Sequence, residues 1–98
     1  MREWYKITAK QKSTDIMMYG IIGEDFWGEG ITAKAFIGEL DNLKTDLDIY
    51  INSPGGDIHE GKAIINALNR YKTKNNAKVN TIVDGDALSM ASGIFMVG

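Results

Sequence analysis

The stretch that most constrains this chain is "DLDIYINSPGGDIHEGKAIINALNRYK", Asp46 to Lys72. Leu47, Ile49 and Ile51 alternate with polar residues, which predicts a strand over 47–52 with one buried face. "SPGG" stops it: Pro54 fixes φ and has no N–H, while Gly55 and Gly56 let the backbone turn sharply. Ile58, Ile64, Ile65, Leu68 and Tyr71 then recur at helical spacing and predict a helix over 57–72. Asp57 and Glu60 fall in its first turn, where the helix dipole favours acids. "KTKNNA" reads as the connection that follows, and Val79, Thr81 and Val83 alternate in a second strand over 78–84. Strand, helix and strand in this order fold as a parallel pair with the helix crossing one face.

The flanking segments extend that pattern. "WYKITAK" predicts a strand over 3–9 and "DIMMYGIIG" another over 15–22, with Gly20 as a bulge and the polar "QKST" as the turn of a hairpin. "GEDFWGEG" is a glycine-rich loop. Thr32 is placed to cap a helix in which Ala35, Phe36, Leu40 and Leu43 share a face. From about Ala87 the chain reads as a short apolar helix. The fold class expected is α/β, and 98 residues without repeat or linker make one small domain at most.

Composition excludes several functions. The net charge is −2 with no basic run to follow phosphates, so nucleic acid is not an expected partner. There is no cysteine, hence no disulfide framework and no thiolate metal site. No apolar run approaches the ~20 residues that span a bilayer, and the N-terminus lacks the apolar core of a signal peptide. A cytoplasmic protein without a membrane partner is expected. "IFMVG" stays apolar to the last residue, which leads us to expect a chain cut short of a longer protein.

In an open α/β sheet, ligands bind beyond the carboxyl ends of the strands. Two such ends are visible here. In "YINSPGGDIHEG" the N–H groups of Gly55 and Gly56 are left uncovered at a helix start and suit an anionic oxygen; a plain tight turn is the alternative. In "VDGDALSMASG" a serine sits at a strand-to-helix turn, as a nucleophile or simply as a helix cap. On adjacent parallel strands the two turns lie side by side and together hold the minimum for acyl transfer: a nucleophile and two oxyanion donors.

The blocks "INSPGGDIHEGKAIINAL" and "VDGDALSMASGIFMVG" resemble the Clp protease proteolytic subunit family of the ClpP/crotonase superfamily. With "IGEDFWGEGITAKAFIGEL", the chain is most similar to the phage branch, the prohead (head maturation) proteases. The resemblance runs from about Trp4 to Gly98 and implies a ClpP/crotonase-like fold, incomplete at the C-terminus, with residues 1–98 the N-terminal part of one protease domain. It implies Ser89 as nucleophile, the N–H groups of Gly56 and Met90 as oxyanion donors, and Gly55 and Ile58 beside an extended peptide substrate. It further implies capsid or scaffold proteins as substrates, ring-shaped homo-oligomers, the host cytoplasm as location, and no metal or organic cofactor. An ATPase partner is left open. Leu88 departs from the family, which usually has alanine before the serine; a bulkier residue there could alter packing under the nucleophile. The connection after the second helix is also longer than in the housekeeping subunit.

"MASG" also resembles the block that carries the nucleophile of signal peptide peptidase A, which would select Ser92. By the pattern of the Clp family, the spacing from Gly85 implies Ser89, with Ser92 a packing residue one turn into the helix. Ser53 reads as a turn residue. The family's triad histidine and aspartate follow the nucleophile by more chain than is present, so neither is among these residues. His59 is the sole histidine and reads as an exposed helix residue. Asp84, Asp86, Asp57 and Glu60 read as loop and cap acids. Two other functions are compatible with the sequence: a non-catalytic, ring-forming assembly module, and a crotonase-type acyl-CoA enzyme, against which the serine after the second turn speaks.

Overall fold

The computed structural model describes residues 7–9, 13–23 and 30–98. Four strands form one sheet in the order β1-β2-β3-β4: β1 (Ile7–Ala9), β2 (Ser13–Tyr19), β3 (Asp46–Ser53) and β4 (Val79–Ala87). Three helices intervene: α1 (Ala33–Leu40), α2 (Ile58–Asn75) and α3 (Met90–Phe95). β1 and β2 pair antiparallel, whereas β2–β3 and β3–β4 are parallel, each pair joined through a helix. The α/β architecture and the hairpin expected from sequence are present. The expected glycine-rich loop falls mostly on 24–29, outside the described residues, as do 3–6 of the first predicted strand.

Strand alternation sets the layers. Thr14, Ile16 and Met18 of β2 and Leu47, Ile49, Ile51 and Ser53 of β3 face inward, and their neighbours in sequence stay partly exposed. The helices cover that inner face with Phe36 and Leu40 from α1, Ile64, Leu68 and Tyr71 from α2, and Ile94 from α3. Each large aliphatic side chain buried in this way contributes about 1.5–3 kcal/mol. No helix among the described residues is long and apolar enough to cross a membrane.

Local chemistry explains the helix starts. The Thr32 hydroxyl accepts from the Ala35 N–H at 3.2 Å, and the Asp57 carboxylate accepts from the Glu60 N–H at 2.9 Å. Glu60 in turn accepts from the Ala33 N–H at 3.2 Å, so one carboxylate joins the starts of α1 and α2.

Several expectations are corrected. Ser13 and Thr14 belong to β2 rather than to a turn, because they pair with Asp46 and Leu47. Gly20 lies past the end of β2 with φ +116° and is no bulge. The second helix runs to Asn75, not 72. Lys72 and Lys74 suit its carboxyl end, and Asn76 ends it in the left-handed conformation with the Ala77 N–H on the Lys72 carbonyl. The expected long connection thus shrinks to 76–78. Ile58 is 58 % exposed and leaves the buried stripe of α2, where Gly61 lies instead against Met90.

Candidate active site

β3 and β4 are neighbours, so the turns that follow them meet. The first turn is held from beneath by Ser53, fully buried, whose hydroxyl accepts from the Gly55 N–H at 3.1 Å. Ser53 is therefore more than a turn residue. Gly55 and Gly56 have φ of +103° and +149°. A Cβ on Gly55 would fall 2.7 Å from the Ser89 Cβ and 3.2 Å from the Met90 nitrogen. A Cβ on Gly56 would fall 2.0 Å from the Ile22 carbonyl oxygen. Each glycine is needed for its own close approach.

Gly56 bridges Ile22 in parallel fashion: the Ile22 N–H donates to the Gly55 carbonyl, and the Asp57 N–H donates to the Ile22 carbonyl, both at 2.9 Å. In such a bridge the middle residue turns its own N–H to the opposite side. Among the described residues neither the Gly56 N–H nor the Met90 N–H meets an acceptor.

The second turn is shaped by a register shift. Ile51 pairs with Val83 but Ser53 pairs with Ala87, so Asn52 faces an outward bulge of β4. Its side-chain oxygen accepts from the Asp86 N–H at 3.1 Å and fills the space beside Gly85. Asn52 is a supporting residue that sequence reasoning missed; its exposed position in the strand alternation was the only signal. The Leu88 N–H then donates to the Ser53 carbonyl at 3.1 Å and ties the two turns together.

Ser89 follows with φ +52° and ψ −123°, a conformation that costs a non-glycine residue about 1–3 kcal/mol. It is exposed and its side chain makes no capping bond, which removes the simple cap reading. Leu88 is 53 % exposed, so it points outward and does not pack under Ser89. Ser92 is exposed as well and is not the packing residue expected: its hydroxyl donates to the Ser89 carbonyl at 2.6 Å. Exposed Ile58 lies just past the glycines.

The remaining polar residues have other tasks. His59 is exposed on the first turn of α2. Asp57 caps that helix. Asp84 accepts a hydrogen bond from the Tyr19 hydroxyl, and this bond, with desolvation and the nearby carboxylate charge, pushes the phenol above its ordinary value. Among the described residues no three His, Asp or Glu side chains gather as a metal site would require.

A family model described as Clp protease matches residues 1–98. The ATP-dependent Clp protease proteolytic subunit of Ligilactobacillus salivarius is 39% identical over 87 residues, which is 89% of this chain and 42% of that protein. The subunit of the same description from Deinococcus radiodurans is 31% identical over 94 residues, 96% of this chain and 44% of that protein. Among solved structures, the ClpP protease catalytic domain from Plasmodium falciparum superposes with a TM-score of 0.61 at 35% identity, over 81% of this chain and 42% of that one. The chain thus spans less than half the length of the relatives it matches.

Proposed function

Since the chain belongs to the Clp protease family, we propose that residues 1–98 are the N-terminal, nucleophile-bearing part of a single serine endopeptidase domain. The observation that carries this reading is the contact between two strained turns: Ser89, uncapped at φ +52°, sits against Gly55. The Ser89 hydroxyl attacks the carbonyl carbon of an extended peptide. The developing oxyanion is taken by the N–H groups of Gly56 and Met90, fixed before the substrate arrives and so needing no rearrangement. Gly55 and Ile58 line the approach. A histidine and an aspartate supplied by further chain serve as the base and its orienting partner.

Without that histidine, Ser89 is a weak nucleophile, because general-base help is worth ~10²–10⁴ in rate. Residues 1–98 alone are therefore inactive in this reading. The segment "IGEDFWGEGITAKAFIGEL" supports placement in the phage branch, with capsid or scaffold protein as substrate, in the host cytoplasm, by a ring of identical subunits without cofactor.

The test is labelling of the full-length protein by a fluorophosphonate probe. Adduct formation at Ser89, abolished in Ser89→Ala, is the expected result. Adduct at Ser92, or none at either serine, overturns the reading. A second reading, a ring-forming assembly module without catalysis, is favoured by the exposed Ile82 and Val83 of β4 and the exposed Phe95 and Met96 at the end of α3. It predicts assembly with no labelling.

A further inference from the structure

The aim of an oxyanion donor depends on one peptide plane, and in this chain that plane has a visible anchor. The Ser89–Met90 peptide is trans, like every described peptide bond here, so its C=O and N–H point in opposite directions. The Ser89 carbonyl receives two bonds from a single residue: the Ser92 N–H at 3.0 Å and the Ser92 hydroxyl at 2.6 Å. On the other side of the same plane, the Met90 nitrogen lies against Gly55 and its N–H meets no acceptor among the described residues. The Met90 side chain packs over Gly61, in the space a Cβ there would occupy.

Ser89 has particular need of such an anchor. Its backbone lies outside the helical region, so the regular pattern of α3 does not by itself set the plane that follows. The Ser92 N–H bond would form with any residue but proline at that position. The hydroxyl bond is the shorter of the two, and only a serine or threonine can make it.

We propose that Ser92 is a positioning residue whose hydroxyl, through the Ser89 carbonyl, aims the Met90 N–H at the developing oxyanion. The proposal rests on the reading of Ser89 as nucleophile. It gives Ser92 a part in the reaction without contact with the substrate, and it accounts for an exposed serine whose hydroxyl turns back to its own chain.

The test compares rates of fluorophosphonate labelling in the full-length wild type, Ser92→Ala, Ser92→Thr and Ser89→Ala. The bound rate constant is separated from the half-saturating probe concentration. Ser92→Ala should lower the bound rate about 10-fold, well short of the ~10²–10³ lost when a donor is removed outright. The half-saturating concentration should stay unchanged, because no contact with the probe is lost. Ser92→Thr keeps the hydroxyl and should stay within about 2-fold of wild type. Thermal unfolding of the variants separates positioning from general loosening, which threonine would not rescue. A labelled wild type with Ser92→Ala at the same rate overturns the proposal alone, as does Ser92→Thr no faster than Ser92→Ala. A wild type that does not label at Ser89 overturns the Ser89 reading and this proposal together.

Discussion

The two ends of the parallel sheet are built on opposite principles. At the amino ends of β3 and β4 the polar groups find partners within the chain. The Thr14 and Thr45 hydroxyls bond at 2.7 Å, the Tyr71 hydroxyl donates to the Thr45 carbonyl at 2.6 Å, and the Lys78 N–H donates to Asp46 at 2.8 Å. At the carboxyl ends, Gly55, Gly56 and Ser89 all take positive φ, and the N–H groups of Gly56 and Met90 meet no acceptor among the described residues. One end consolidates the fold, and the other holds backbone strain and open donors that the first must support. Strain of this kind persists only where surrounding structure over-determines it. Here that structure is Ser53, Asn52 and the Ile22 bridge.

The sharpest way to break this contrast is Gly56→Ala. The added methyl would lie 2.0 Å from the Ile22 carbonyl oxygen, a backbone atom that cannot step aside as a side chain could. The positive φ adds its own strain. We expect a loss of about 3 kcal/mol or more in urea unfolding, with no labelling of Ser89 even where the variant remains folded. A variant near wild-type stability would mean that the carboxyl end is far softer than its contacts imply.

Tyr71→Phe probes the opposite end. It removes one buried donor and leaves the Thr45 carbonyl without that partner, for an expected loss of about 1–2 kcal/mol. The labelling rate of Ser89 should not change, since Tyr71 touches only the amino end. Burial, and to a smaller degree the Asp46 charge, hold the Tyr71 phenol above its ordinary 10.0, against the lowering effect of its bond to Thr45. Its contribution is therefore complete below about pH 10 and lost as pH rises through the folded-state value. Stability measured across that range should fall less in Tyr71→Phe than in wild type.

What could be read in the sequence divides along the same line of local against long-range cause. Thr32 and Asp57 as caps and the break at "SPGG" follow from residues a few positions apart, and the structure places them as expected; the second strand-to-helix turn comes later than expected, because β4 runs on to Ala87 and α3 starts only at Met90. The family of the site was also legible, because glycine turns and a serine at fixed spacing are local features. Most of what escaped depends on distant partners. The bulge of β4 exists because Asn52 of β3 fills it. Ile58 looked like a core residue by spacing, yet the helix turns Gly61 inward to admit Met90, and no count along α2 reveals a methionine from α3. Ser92 escaped for a different, local reason: a serine one turn into a helix can bond the carbonyl three residues before it, and here its hydroxyl turns back to that of Ser89 instead of packing.

The smallest expected effect is the most direct measure of the contrast, because it asks whether the carboxyl end gives up stability for its geometry. Ser89 holds φ +52° and ψ −123°, and its side chain makes no capping hydrogen bond. Replacing it by glycine removes a strain of about 1–3 kcal/mol. Against this stands the greater freedom of glycine in the unfolded chain, which costs roughly 0.5–1 kcal/mol. The two do not cancel, and Ser89→Gly should be more stable than wild type by about 1 kcal/mol while losing all labelling. Ser89→Ala is the control: it keeps the Cβ and therefore the strain, so it should lose labelling without gaining stability. Urea unfolding of the two variants beside wild type decides the matter. If glycine stabilises no more than alanine, the positive φ of Ser89 costs nothing, and the carboxyl end is then as relaxed as the amino end.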